Sequence, residues 1–305
     1  MGVPRRIVDA VRRRAEQWSD QLWAVGVQRL HPHDAVPFDG DPRFAIVTVN
    51  YSTTRWLKLM LRTLAEQTAA SRIQRIVVVD NGSRDGGRAF LRALARATSA
   101  VRVVENDLFL SHARGMRLGL RALDRSDRSQ PPARRANVIL SIDTDVVFRR
   151  AETLEELARV FTNRDAAAVG ELRNHLYPYP EAQASFLAVR RDVYARRDVA
   201  PWVNHGAPAY WLQRDLHRRG LNVVHFPSNA GGYVLHRGRA GVDAAIRWRP
   251  WSSYGSTAYK NPHFMGIPDG ASIWAALEAR HEAVLGDGAE RALIDLLATR
   301  FSAAG

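Results

Sequence analysis

The 305-residue sequence predicts an α/β fold in which a mostly parallel central sheet is flanked by helices. Three observations carry that expectation. Short β-branched runs such as RIVVVD (75–80) and NVILSID (137–143) are apolar enough to be buried on both faces. These runs alternate with stretches of helical periodicity, the pattern of parallel strands joined by crossover helices. Composition agrees: 46% hydrophobic and 25% charged residues suit a globular chain, and no window approaches the ~18–20 uninterrupted apolar residues of a membrane span.

Residues 1–30 read as a basic helix, because Ile7, Val8, Val11, Trp18, Leu22, Val25 and Leu30 recur at near-helical spacing among arginines. Three placements fit it: docking on the body, pairing with another subunit, or lying peripherally on an anionic membrane face. A proline-rich break from His31 to Pro42 follows. FAIVTVNY (44–51) is the first short strand, and Thr54 to Gln67 the first helix of the main domain. RIVVVD is the second strand, a helix spans 84–98 with Ser83 as its cap, and VRVVEN (101–106) is the third strand. A helix runs from about Ser111 to Leu123, a polar loop covers 125–136, and NVILSID precedes the helix Thr153 to Phe161. Beyond it, ASFLAVRRDVY (184–194) reads as a strand entering a short helix, 209–219 as a helix, and LNVVHFP (221–227) and YVLHRG (233–238) as strands. Residues 248–270 form an aromatic, Gly- and Pro-containing loop, and the remainder is helical. The expected organisation is therefore an N-terminal helix and linker (1–40), a main domain (41–240) and a C-terminal extension (241–305).

The chain has no cysteine, which excludes a disulfide framework and thiolate chemistry. No apolar signal segment opens it, so a cytoplasmic location is expected, with the inner membrane face as an alternative for a peripheral helix. The formal charge of +13 is almost wholly arginine, since Lys58 and Lys260 are the only lysines. A nucleic-acid partner is not expected, because such proteins show interleaved aromatics and motif context that this charge lacks.

Ligands of a parallel sheet bind at the carboxyl ends of its strands, which places Tyr51, Asp80, Asn106 and Asp143 on one rim. There, IDTDVVF (142–148) sets two carboxylates two residues apart just after a buried strand. Such a pair holds Mg²⁺ or Mn²⁺ through oxygen ligands while the ion bridges a nucleoside diphosphate. Asp80, in VVVDNGSRD (77–85), is placed to accept a hydrogen bond from a base N–H. In ENDLFLSHARGMRLGL (105–120), His112, Arg114 and Arg117 sit at a helix start that suits phosphate, with Arg117 and Arg121 also readable as a solvated face.

In this order, IVTVNYS, VVVDNGSRD, ENDLFLSHARGMRLGL and ILSIDTDVVF resemble the family 2 glycosyltransferases, over roughly residues 43–238. The Asp-Asn of VDNGSRD is most similar to the rhamnosyltransferase-like branch acting on cell-surface polysaccharides. The resemblance implies a GT-A fold and a UDP- or dTDP-sugar donor. It implies that Asn50 and Tyr51 lie beside the base, that Asp80 reads it, that Asp143 sits near the ribose or sugar, and that Asp145 ligates the metal. YVLHRG resembles the family's terminal His motif, which implies contact of His236 with metal or diphosphate.

One departure concerns the base that activates the acceptor hydroxyl. The family's Glu-Asp pair falls on Pro208 and Ala209 when aligned back from Gly220 and Pro227. His205 and Asp215 are the nearby candidates, and the unperturbed imidazole pKa of about 6.5 suits a base. A shifted alignment, a base within 171–181, or a retaining mechanism are the other readings. The sequence thus predicts a metal-dependent, inverting hexosyltransferase acting on a glycan or small-molecule hydroxyl. The alternative is a sugar-nucleotide-binding homologue without transferase activity.

Overall fold

The computed structural model of the chain describes residues 5–162, 165–173, 178–204, 207–248, 262–286 and 289–302. Its centre is a seven-stranded sheet built from β1 (Phe44–Asn50), β2 (Ile73–Asn81), β3 (Val101–Asn106), β4 (Val138–Ile142), β6 (Ala166–Arg173), β7 (Glu181–Arg190) and β8 (Asn222–His225). The strand order is β3-β2-β1-β4-β7-β6-β8. Strands β3, β2, β1 and β4 are mutually parallel, whereas β7 runs antiparallel to both β4 and β6. The apolar runs of the sequence became these strands because both faces are covered. One face packs under α2 (Thr54–Ala65), α3 (Arg88–Ala97) and α5 (Thr153–Phe161), with Phe44, Ile46, Leu61, Phe90 and Leu154 in one buried cluster. The other packs under α4 (His112–Asp127), α6 (Arg191–Tyr194) and α7 (Tyr210–Arg218), around Val47, Met116, Leu120, Trp202 and Leu212.

The expected α/β architecture is therefore observed, with local differences. β5 (Val146–Phe148) and β9 (Val234–His236) pair antiparallel as a separate small sheet, and β6 occupies a stretch to which the sequence pattern assigns no element. Ser83 does not cap α3, which begins only at Arg88; its Oγ instead accepts from the Ser52 and Asn50 side of the rim. α4 lies unusually close to β1, since a Cβ on Gly115 would meet Val49 at 2.8 Å. That contact fixes the height of the α4 start, and with it His112, at the sheet rim.

The N-terminal helix, α1 (Arg5–Leu30), docks on the body, which separates docking from the other two placements only for its inner face. Asp20, Ala24 and Gln28 are buried there. Asp20 pairs with Arg114 and Arg117 of α4, and Gln28 donates to the Tyr194 carbonyl at 2.8 Å. The C-terminal segment also shares the main core. α8 (Ala240–Trp248) follows β9 directly, α9 (Gly270–Leu285) packs on α2 through Trp274, and α10 (Glu290–Ser302) contributes Leu293, Leu297 and Phe301. Most of the expected aromatic loop, 249–261, lies outside the described residues.

Candidate active site

The strand order reverses between β1 and β4, and a cleft of about 400 Å³ opens there, at the carboxyl ends of both strands. Asp143, Thr144 and Asp145 form the turn between β4 and β5. Asp143 is held by its own N–H on the Ser185 carbonyl at 3.0 Å, and its carbonyl accepts from Val146 N at 3.1 Å. The register of the small sheet sets His236 opposite Val146. This long-range pairing brings His236 Nε2 to 3.3 Å from Asp145 Oδ1 and 3.7 Å from Asp143 Oδ2.

One ligand atom from each of Asp143, Asp145 and His236 lies within 4.8 Å of the others. Two carboxylates and an imidazole form a hard, mixed O/N donor set that fits Mg²⁺ or Mn²⁺. Asp145 is buried, and its Oδ2 accepts from Ala240 N at 3.1 Å. Burial favours the neutral acid, but the His236 charge and hydrogen bond and the Ala240 N–H outweigh it, so the Asp145 pKa is lowered. Burial likewise opposes charging His236, and Asp145 and Asp143 reverse the balance, so its pKa is raised. The cluster is already arranged around positive charge.

The opposite end of the cleft is aromatic. Tyr51 and Phe109 meet edge to face at 4.5 Å between ring centroids, and both line the cavity. Behind them a buried polar network runs from β2 to the acidic turn. Asn50 Nδ2 donates to Asp80 Oδ1 at 3.3 Å and to Ser83 Oγ at 3.2 Å. Asn50 Oδ1 accepts from Thr53 Oγ1 at 2.8 Å, and Thr53 Oγ1 lies 2.9 Å from Thr144 Oγ1. His112, the first residue of α4, holds its Nε2 3.8 Å from Asp143 Oδ1.

The third wall is the start of α8, where Arg239, Ala240, Gly241 and Val242 border the cavity. Its first N–H, that of Ala240, is taken by Asp145 Oδ2, and the helix N-terminus adds a partial positive charge to this wall. The turn into it depends on Gly238, whose φ is +76° and where a Cβ would lie 2.2 Å from His263 Nε2. His263 lies edge-on to His236, 5.6 Å between ring centroids. Its burial, followed by the nearby His236 and Arg239 charges, lowers its pKa.

The structure thus brings Tyr51, His112, Asp143, Asp145 and His236 together around one cavity, with Asn50 immediately behind. Three expectations are corrected. Arg114 turns away from the rim: its Nε binds Asp20 at 2.8 Å, and it lines a groove on the α1 side. Arg117 is no solvated face residue but is buried, bound to Asp20 and to the Trp202 carbonyl. Asp215 is buried in α7, accepting from Ala200 N at 3.0 Å and from Arg214 at 2.8 Å, so it faces structure and not the cleft. Asp80 is fully buried as well, with Oδ2 bound to Arg88 Nε at 2.7 Å. His205 lies outside the described residues.

Several lining residues escape the sequence reading. Thr53 and Thr144 carry no signal beyond sitting beside motif residues. Arg239 to Val242 could have been found from RGRAGV, a basic and small-residue run opening a helix just after a strand. His263 comes from a loop remote in sequence, and nothing local marks it. Glu181, at the start of β7 and within the 171–181 stretch already named for a base, does not border the cavity; it is buried with one carboxylate oxygen lacking a partner among the described residues. Burial raises its pKa, against the opposing Arg173 charge.

Comparison with known proteins agrees with the motif order. The family model described as glycosyl transferase family 2 matches residues 45–219. No curated protein matches the chain. Among solved structures, the chain is similar to a mannosyltransferase of Pyrobaculum calidifontis in complex with GDP-Man and Mn²⁺, at 16% identity and a TM-score of 0.45, covering 96% of this chain and 98% of that one. It is also similar to glucosyl-3-phosphoglycerate synthase of Mycobacterium tuberculosis, at 14% identity and 0.44, covering 73% and 82%. A third is TarS of S. aureus, at 11% identity and 0.43, covering 85% and 90%.

Proposed function

Because the chain belongs to glycosyl transferase family 2, we propose that it transfers a sugar from a UDP- or dTDP-sugar to an acceptor hydroxyl, with inversion, using Mg²⁺ or Mn²⁺ held by Asp143, Asp145 and His236. The observation that carries the reading is the convergence of those three side chains on a cleft at the sheet's switch point. When bound, the ion supplies Lewis-acid neutralisation of the charge that gathers on the departing diphosphate.

The remaining work falls to the chain's own groups. Tyr51 and Phe109 offer the base an aromatic wall, and the Asn50–Asp80 network holds that wall's backing rigid. The α8 N-terminus, Arg239 and His112 favour the diphosphate by hydrogen bonding and charge. An acceptor hydroxyl attacks the anomeric carbon, its proton passing to a base as the nucleoside diphosphate leaves. His205 is the proposed base; Glu181, with a raised pKa and one oxygen that has no partner among the described residues, is the competing one. The VDNGSRD match favours the rhamnosyltransferase-like branch and a cell-surface glycan acceptor. A donor-binding homologue without transfer remains the second reading, and Pro208 and Ala209, standing where the family has its acids, favour it.

The test is a transfer assay with UDP- and dTDP-sugars, with and without EDTA. Asp145→Asn should cost about 10²-fold or more in turnover, since each ~1.4 kcal/mol of lost stabilisation is one decade. Full activity in EDTA together with an unimpaired variant removes the metal from the mechanism. His205→Ala should cost about 10²–10⁴-fold with donor affinity kept and abolish the acidic limb of the pH–rate profile. If Glu181→Gln does this instead, the base is Glu181.

A further inference from the structure

We propose that the outward face of α1, with the groove between α1 and α4, is a surface that seats the chain on an anionic lipid bilayer. Seven large apolar side chains are exposed among the described residues. Five are on α1; the other two, Leu118 and Leu108, are on α4 and in the loop leading into it.

The helix geometry explains how this arises. Asp20, Ala24 and Gln28 follow one another at four-residue steps and are consumed by the body. Val11, Trp18 and Leu22 recur seven and four residues apart, about half a turn away from them, and so face outward. Trp18 is 61% exposed and Leu22 78%. Neither is covered by another of the described residues. Next to them a groove of about 440 Å³ runs between the two helices, walled by Trp23, Val27, Leu118 and Pro201.

Charge selects the occupant. The α1 sequence carries six arginines against three acids, and one of the acids, Asp20, is already bound by Arg114 and Arg117. Arg14 lies over the Trp18 ring at 5.9 Å, so cation and interfacial aromatic occupy the same edge. A helix with Trp and Leu on one face and the exposed Arg14 and Arg29 beside them fits the headgroup boundary of an anionic membrane, where the rings enter the interface and the guanidinium groups meet phosphate. A second copy of the chain fits less well, because pairing the same face on both copies sets like charges against each other. Leu110 lines both the groove and the active-site cleft, so seating the groove on a bilayer brings the cleft to the membrane surface. No helix among the described residues is long and apolar enough to cross a membrane, so the contact is one of lying on the surface. This surface stands independently of the chemistry proposed for the cleft.

Co-flotation of the full chain with phosphatidylcholine vesicles, with and without phosphatidylglycerol, tests it directly. The chain should float with the anionic vesicles, less with neutral ones, and less as salt is raised. The Trp18→Ser/Leu22→Ser variant should lower partitioning by about tenfold or more, a factor that ~1.4 kcal/mol of lost apolar burial supplies. Leu22→Glu alone, with its melting temperature checked, gives a second reading of the same face. The proposal is overturned if the wild type does not float at low salt, or if both variants float as well as the wild type. Light scattering showing a dimeric wild type and monomeric variants, without flotation, would assign the face to a second copy and equally overturn it.

Discussion

Replacing Asp20 with alanine removes the acid that joins three separate parts of the fold. Its carboxylate receives Arg117 Nη2 at 2.6 Å and Nη1 at 3.1 Å, Arg114 Nε at 2.8 Å and the Asn204 backbone N–H at 2.8 Å. Asp20 is 1% exposed and the Arg117 side chain 11%, so the bidentate pair is buried, whereas Arg114 is half exposed. Breaking a buried pair from one side strands the other charge, at about 3–5 kcal/mol. The exposed Arg114 contact adds about 0–1 kcal/mol. For a chain of this size the loss corresponds to a fall of about 6–15 °C in melting temperature. Burial raises the Asp20 pKa, but the hydrogen bonds from Arg117 and Arg114 outweigh it, so the folded value lies below the usual one. The stability it contributes is therefore fully present above the unfolded pKa of about 3.9 and is lost as pH falls through the lower folded value. Calorimetry of wild type and Asp20→Ala should show a constant difference from about pH 5 to 8 that shrinks only in stronger acid. Adding Arg117→Met should recover part of the loss, because the stranded charge is gone. A variant melting within about 2 °C of wild type, or a gap undiminished in acid, would refute the argument. The same network bears on truncation. Deleting residues 1–35 should destabilise the body itself, and not only change solubility or assembly, because it uncovers Arg117.

Asp80→Ala should weaken nucleotide binding and also lower stability by about 2–3 kcal/mol, since the acid is fully buried on Arg88 and Asn50; titration calorimetry and thermal melts read the two effects separately. An unchanged melting temperature would show that Arg88 turns to solvent at little cost. Gly238→Ala forces an L side chain to φ +76° and drives a Cβ into His263, so both melting temperature and transfer should fall, by about 1–2 kcal/mol from the backbone conformation alone. Wild-type behaviour in both assays would mean that the β9–α8 turn relaxes freely.

The sequence by itself determined the sheet and its rim. Runs such as VVVD and ILSID can be buried only in a sheet covered on both faces, and a carboxylate directly after a buried strand must emerge at its end, so Asp143 and Asp145 were legible from local pattern. Tyr51 followed from the same end-of-strand rule, and His112 from its place at the start of a helix that opens on the rim. What the tertiary structure decided was pairing across the chain. His236 reaches Asp145 only because β5 and β9 form a small sheet whose register no local periodicity specifies. Arg114 sits at a helix start, as phosphate-binding residues do, yet Asp20 of a distant helix takes its charge. Asp215 is the acid nearest in sequence to the place of the family's acidic pair, yet its carboxylate is taken up by the Ala200 backbone N–H. The physical reason is common to all three. Local sequence fixes which element a residue joins and which face it shows, while the partner of a charge depends on which other elements pack against that face.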